Sequence, residues 1–336
     1  MPEAAPMVIL TSMRAERATT NPYVIELNRR LADRTRLLRF SWWNLLFGRW
    51  DVFHVHWPEA LARRPGRLRT GIASGLVVVA MARARLTSRP VVRTLHNIAP
   101  HERTAVAVRL ALRAVDGATT GWILLTARTP VPGPGVVATI PHGTYTQWFA
   151  SRPHPARVPG RLLFAGLVRP YKGVEDLLRA FAEVTDPGAS LHVCGRPEDI
   201  AFGAAVAATV AESPRAKAVL RHLTDDEMST EIGEAQVVVL PYRELHNSGM
   251  ALLALSLGRP VLLPDNEVAR DLAQEVGPEW VQTFSGDLGG AALVAALERT
   301  GGLTGEPDLR ARSWETIAGE HVELFRAVLR GVRSKT

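Results

Sequence analysis

Short, largely apolar runs alternate with helix-period segments twice along this chain, and that alternation constrains its fold more than any other feature. In the first half the runs are Met7–Ser12, Asp51–His56, Pro90–Leu95, Trp122–Thr126 and Gly135–Ile140. Each has the length of a strand, and none shows the in/out alternation of a sheet with one wet face. Between them, Val24, Leu27 and Leu31 share one helical face within Tyr23–Leu31, and 102–114 reads as a helix. The pattern then restarts. Strands are expected at Arg161–Phe164, Ser190–Cys194, Ala218–Leu223, Gln236–Leu240 and Pro260–Leu263. Helices are expected at Val174–Val184, Ala201–Ala211, Asp225–Ile232, Gly249–Leu257 and Glu267–Val276, with Thr224 capping the third. Apolar strands joined by helices form parallel sheets covered on both faces. Two such blocks predict two doubly wound α/β lobes.

The expected division is a lobe over 1–150, a second over 151–312, and a closing amphipathic helix within 313–336. The segment Trp148–Gly160 carries three prolines and reads as the linker. The longest apolar stretch, Gly71–Met81, is far shorter than the roughly 20 residues of a membrane span and reads as a buried helix or strand.

Charge is unevenly placed. Residues 1–140 hold 20 arginines, no lysine and eight acidic residues, a net +12, whereas the whole chain carries +7. A basic first half attracts phosphates and is compatible with peripheral contact at the inner face of an anionic membrane. Nothing in it has the aromatic-interleaved basic groove of a single-stranded nucleic-acid binder, so nucleic acid is not expected as a partner. Trp42, Trp43, Phe47 and Trp50 form an aromatic cluster that can line an acceptor groove, touch lipid or simply pack. One cysteine, Cys194, rules out an intrachain disulfide, and no Cys/His spacing suits zinc. The first residues lack the basic and long apolar regions of a signal peptide, and a cytoplasmic setting is expected.

Two loops in the second half have the chemistry of phosphate sites. In Gly166-Leu-Val-Arg-Pro-Tyr-Lys-Gly173, Arg169 and Lys172 follow a strand and precede a helix, and Gly173 permits close backbone approach. In Pro241-Tyr-Arg-Glu-Leu-His-Asn-Ser-Gly-Met250, Ser248 and Gly249 stand at a helix mouth, where free amides bind anions. Both lie at carboxyl ends of strands, where open α/β sheets bind ligands. In the first half, His56 and His96 end strands, with His54 deeper in the sheet. Glu59, His101 and Glu102 follow on loops, and Arg14 and Asn21 follow the first strand.

The runs FAGLVRPYKGVEDLL, LHVCGRP and LPYRELHNSGMALLALSLGRPVLLP resemble the donor lobe of GT-B glycosyltransferases of the broad family 4 type. The resemblance covers most of 160–335. It continues more weakly through DVFHVHWPE, VVRTLHNIAPHE and IPHGTYTQWF. The tail SWETIAGEHVELF is similar to the final helix that crosses back onto the first lobe. The resemblance implies two Rossmann-like lobes with a cleft between them and transfer of a hexose from a nucleotide-diphosphate sugar without a metal or other cofactor. It implies that Arg169 and Lys172 grip the diphosphate while the Ser248–Met250 backbone supports phosphate and sugar. Gly173, Arg196, Tyr242, Asn247 and Gly249 complete the expected donor set. The family's paired glutamates before the Gly-x-Pro turn are replaced here by Leu245 and Leu253, so Glu267 is the expected ribose contact.

His96 is expected to face the transferred sugar, and Glu59 and Glu102 are the carboxylates for an acceptor base if the anomeric centre inverts. Arg14, Asn21, His56 and His101 are the expected acceptor contacts. The donor reads as GDP- or UDP-linked, with GDP-mannose favoured by the Arg-Pro-Tyr-Lys-Gly style. The acceptor reads as a glycan, a lipid-linked sugar or a small molecule. The competing readings are a sugar-nucleotide epimerase or phosphorylase-like enzyme on the same fold, and a catalytically inactive partner subunit.

Overall fold

Among the residues described, 5–16, 20–96, 105–242 and 248–333 of a computed structural model, every strand pairs parallel to its neighbours. The chain forms two compact units, 1–143 together with 312–336, and 144–311.

The first unit runs β1 (Val8–Thr11), α1 (Pro22–Ala32), β2 (Arg36–Leu38), α2 (Trp42–Phe47), β3 (Val52–Val55), α3 (Pro58–Ala62), α4 (Arg67–Leu86), β4 (Val91–Leu95), α5 (Val106–Ala118), β5 (Thr119–Leu124) and β6 (Val136–Thr139). The second runs α6 (Thr146–Phe149), β7 (Arg161–Ala165), α7 (Val174–Ala182), β8 (Ser190–Cys194), α8 (Ile200–Ala211), β9 (Ala216–Val219), α9 (Asp225–Glu234), β10 (Val237–Val239), α10 (Gly249–Ser256), β11 (Val261–Pro264), α11 (Glu267–Val276), β12 (Val281–Phe284) and α12 (Gly290–Gly301). The last helix, α13 (Trp314–Arg333), belongs to the first unit.

The sheets are ordered β2-β1-β3-β4-β5-β6 and β12-β11-β10-β7-β8-β9. In each, the winding direction reverses beside the first strand, at β1/β3 and at β7/β10. Such a switch point leaves a crevice beyond the strand ends, because the connecting helices depart to opposite faces. The first sheet is covered on one face by α1 and α13, through Tyr23, Leu27, Ile317 and Phe325. Its other face is covered by α2, α4 and α5, through Leu45, Val77, Met81 and Val115.

Three expectations need correction. The segment Trp148–Gly160 is no free linker. Trp148 Nε1 donates to Asp225 at 2.9 Å, Arg152 pairs with Asp225 and Asp226, and the Pro153 carbonyl accepts from Ser229. The junction therefore falls at Gly143/Thr144, because these polar groups tie the prolines to α9. The strand expected over Ala218–Leu223 begins at Ala216 and ends at Val219, since pairing with β8 stops at Cys194. The stretch Gly71–Met81 is the middle of a 20-residue helix and only half-buried. The strands β2 and β12 and the helix α12 were not expected from the sequence. The first two are edge strands of three and four residues.

Candidate active site

In the second unit the two glycine-flanked loops converge at the β7/β10 switch point. Gly166 ends β7 with φ of 120°, and Gly195, ending β8, sits so close that a methyl group there would strike the Gly166 carbonyl. The chain then passes one turn of 3₁₀ helix at Pro170–Lys172 and enters α7 through Gly173, whose φ is 69°. A Cβ on Gly173 would lie 2.3 Å from the Pro241 carbonyl. Only glycine lets this loop rest on the end of β10.

That approach brings Lys172 to Tyr242. The ammonium donates to the Tyr242 hydroxyl at 3.2 Å and lies 4.5 Å from the ring centroid. The Tyr242 hydroxyl is in turn hydrogen-bonded to Ser248, and burial raises its pKa. Ser248 caps α10, its Oγ accepting from the Ala251 amide at 3.1 Å. The amides of Gly249 and Met250 occupy the first turn of α10, which leaves them no acceptor within the helix. Around Gly166, a Cβ would stand 3.5 Å from Lys172 Nζ and 3.8 Å from both Met250 Cε and the Tyr242 hydroxyl. The missing side chain thus leaves a floor ringed by an ammonium, a phenol and the start of a helix. Burial, and secondarily the Arg169 guanidinium, hold Lys172 down to about 8. Among the described residues Arg169 has a loose ion pair, 3.9 Å from Glu198. Two neighbouring cations so placed suit an anion with more than one charge.

Arg196 is exposed on the loop after β8, its carbonyl accepting from the Val168 amide. Glu267 opens α11 at the end of β11, also exposed. Topology puts both at the edge that carries Lys172. Asn247 and Leu245 fall outside the described residues. Leu253 is buried in the core of this unit, so the family's carboxylate position on α10 is here an apolar packing position. Tyr145 was not among the residues expected from the sequence. Its hydroxyl lies 3.2 Å from where a Gly249 Cβ would be, and its amide donates to Ser256 Oγ. No local signal marks it, because its position depends on folding across more than 100 residues.

In the first unit, the β1/β3 switch point holds a cavity of about 240 Å³, lined among others by Ser12, Arg14, Asn21, His56 and Trp57. His56 ends β3 and is almost wholly buried. Its Nδ1 lies 3.0 Å from His96 Nε2, so one of the two donates to the other. Its Nε2 has no partner among the described residues. His96 ends β4 and stacks on Trp57 at 4.2 Å, while Tyr23 packs in T-shaped geometry against both histidines. His54, one layer deeper, bonds Thr94 Oγ1 at 2.8 Å and has a packing role. His142 donates from Nδ1 to the Gly143 carbonyl, and His321 from Nδ1 to the Ile317 carbonyl.

All five rings are held neutral, chiefly by burial and, for His54, His56 and His96, also by neighbouring imidazoles. His56 falls to about 3, His142 and His321 to about 4, and His54 and His96 well below the ordinary value. A neutral His96 whose Nε2 faces His56 has a fixed tautomer pairing and acts as a hydrogen-bonding group, not as a charge.

The expected acceptor residues divide. Arg14 lines the cavity, with its guanidinium 5.3 Å from the Phe40 ring centroid. Asn21 lines the cavity too, and its side-chain oxygen accepts from the Tyr23 amide as the α1 cap. Glu59 sits on α3 beside Trp57, off the cavity lining that Ala60 and Leu61 supply. His101 and Glu102 lie outside the described residues.

The chain is similar to known glycosyltransferases in sequence and in fold. Residues 159–295 match the family model described as glycosyl transferases group 1. The chain is 41% identical to a GDP-mannose:glycolipid 4-beta-D-mannosyltransferase of Xanthomonas campestris pv. campestris, over 96% of this chain and 93% of that protein. A second protein of that name and organism is 40% identical over the same shares. Among solved structures, a glycosyltransferase of avilamycin A biosynthesis superposes with a TM-score of 0.62 at 14% identity, covering 97% of this chain and 98% of the other. Anabaena HepE in complex with UDP-glucose gives 0.62 at 12% identity, covering 98% and 100%. At these identities the structural likeness carries the fold, which is GT-B.

Proposed function

Because this chain belongs to the glycosyltransferases, with a group 1 match in its second unit and the GT-B fold, we propose that it moves mannose from GDP-mannose to a hydroxyl of a lipid-linked glycan. The convergence of Lys172, Tyr242, Ser248 and Met250 around Gly166 carries the donor half of this reading. Lys172 and Arg169 take the diphosphate, and the first-turn amides of α10 complete its coordination. Glu267 holds the ribose. The Arg14 cavity of the first unit receives the acceptor.

The glycolipid acceptor and the β-linked product come from the names of the relatives. A β product from an α-linked donor requires inversion. The acceptor oxygen attacks the anomeric carbon as the bond to phosphate breaks. The hydroxyl proton passes to a carboxylate, Glu59 or Glu102, and the electron pair leaves on GDP. The charge growing on that diphosphate is what Lys172 and Arg169 neutralise, and this lowers the barrier because it is greater in the transition state than before it.

The test is GDP binding by calorimetry together with mannosyl transfer to a lipid-linked acceptor. Arg169→Ala and Lys172→Ala should each weaken GDP about 10- to 100-fold, the value of one charge-assisted hydrogen bond. Full affinity in both variants would sink the donor assignment. Transfer surviving unchanged in both Glu59→Gln and Glu102→Gln would sink the base.

A further inference from the structure

Helix α4 is apolar on two sides. Its inner side, with Ala73, Val77, Ala80, Met81 and Ala84, is buried against the first sheet. Its outer side carries Leu68, Ile72, Val79 and Leu86, which are 78, 57, 59 and 86% exposed. At 3.6 residues per turn these four fall within an arc of about 40°, so they form one stripe along a helix about 30 Å long. A helix that is apolar all round is normally enclosed, yet this one has water on its outer side. The neighbours repeat the pattern. In α5, Val106 and Leu110 are exposed one turn apart, and in α2 Trp43 and Phe47 are exposed with ring centroids 4.8 Å apart. Since α2, α4 and α5 all bury their inner sides in one core against one sheet face, their outer sides form one surface. Lone exposed apolar residues are ordinary, but a layer of them on three adjacent helices marks a contact surface.

Its charge identifies the occupant. Exposed arginines flank the stripe: Arg67, Arg69 and Arg85 on α4, Arg109 and Arg113 on α5, and Arg49 after α2. No exposed acidic residue occurs in these three helices or in residues 48–51. Asp116 is committed to Arg93, and Asp51 accepts from the Val8 amide. Apolar side chains framed by cations alone match the interface of an anionic bilayer, with acyl chains below and phosphates above. No helix among the described residues is long and apolar enough to cross a membrane, so α4 would lie in the interface. The surface is also well sited. Helix α3, which lines the Arg14 cavity through Ala60 and Leu61, packs on both α4 and α5.

We infer that the outer face of α2, α4 and α5 is a docking surface for an anionic lipid bilayer, seating the first unit so that its cavity opens near a lipid-held acceptor. The inference leans on the lipid-linked acceptor reading for its purpose, while the surface can be tested without donor or acceptor. The full chain is floated with vesicles of phosphatidylcholine alone and with vesicles containing phosphatidylglycerol. It should float with the anionic vesicles only. The pair Ile72→Ser and Val79→Ser should lower partitioning about 100-fold, roughly tenfold for each apolar side chain removed, while Ile72→Leu with Val79→Leu retains it. Arg69→Ala and Arg85→Ala should each cost roughly fivefold on anionic vesicles. The melting temperature and far-UV circular dichroism should be unchanged in all of them, which shows that each variant is folded, and GDP affinity should also be unchanged, because the donor reading places GDP in the second unit. The proposal fails if the wild-type chain does not float, or if the serine pair floats like wild type. It fails equally if wild type is a dimer that the serine pair makes monomeric while neither floats, since the face would then be covered by a second copy. Loss of GDP binding by the wild-type chain would overturn the donor reading and leave the flotation result standing.

Discussion

Lys172 gives the donor site a pH signature that can be worked out in advance. Burial and the nearby Arg169 hold its ammonium down to about 8, against an ordinary value of 10.5. A bound diphosphate supplies the missing negative charge and returns that pKa to 10.5 or above. The complex therefore keeps its proton where the free protein loses it, and affinity falls as pH rises through 8. A free-state pKa of 8 leaves about nine-tenths of the sites charged at pH 7 and about one-tenth at pH 9, so GDP affinity should fall about tenfold between them. The terminal phosphate of GDP, with a second pKa of about 6, contributes little over that range. Titration calorimetry at pH 7, 8 and 9 in two buffers of different ionisation heat would show both the falling affinity and the proton uptake. Lys172→Arg keeps its charge throughout and should flatten the profile. A wild-type affinity that stays level from pH 7 to 9 would mean that Lys172 does not face the phosphates.

Other outcomes rest on the same contacts. Gly173→Ala should destabilise the second unit by at least ~1 kcal/mol in denaturant melts, because its Cβ would meet the Pro241 carbonyl in a backbone conformation that alanine resists. Gly166→Ala should weaken GDP more than it lowers the melting temperature, since its Cβ enters the space before Lys172 Nζ; equal wild-type affinity would count against the floor assigned to that glycine. Ser248→Ala removes a helix cap and the partner of the Tyr242 hydroxyl, and should cost about 1 kcal/mol of stability. The buried histidines should make the first unit acid-sensitive. Their folded pKa values lie below the unfolded value, so the unfolded chain binds more protons, and stability is lost as pH falls below about 6.5, by about 1 kcal/mol per pH unit for each ring. The loss should level off near the folded values of about 4 for His142 and His321 and about 3 for His56. His321→Leu should reduce the slope of melting temperature against pH, and an unchanged slope would refute the account.

The two loops proposed to hold the donor were legible in sequence because their pattern is local. A strand, a glycine-flanked loop and a helix start are all encoded within about ten residues, so Arg169, Lys172, Gly173 and Ser248 could be picked out without a fold. The first unit was less legible. His54 and His56 are two residues apart on one strand face, and depth separated their roles, as the bonds to Thr94 and His96 show. Asn21 read as an acceptor contact, and it both lines the cavity and caps the helix it begins, a second role that only the fold shows. The prolines of 148–160 read as a linker, because proline marks a break in regular structure but not whether the broken segment is tied down by distant carboxylates.

Apolar period, turn glycines and the placement of cations along the chain thus determined two parallel α/β sheets and the two loops from which the donor reading is built. Tertiary structure alone decided which strand ends became neighbours. That choice set Lys172 beside Tyr242, His56 beside His96 and Tyr145 beside Gly249, and it turned an apolar stretch of α4 outward. Strand order is settled by long-range packing and crossover geometry, which no window of sequence contains. Side chains brought together across 40 to 100 residues are therefore consequences of the fold, and their chemistry can be read only after it.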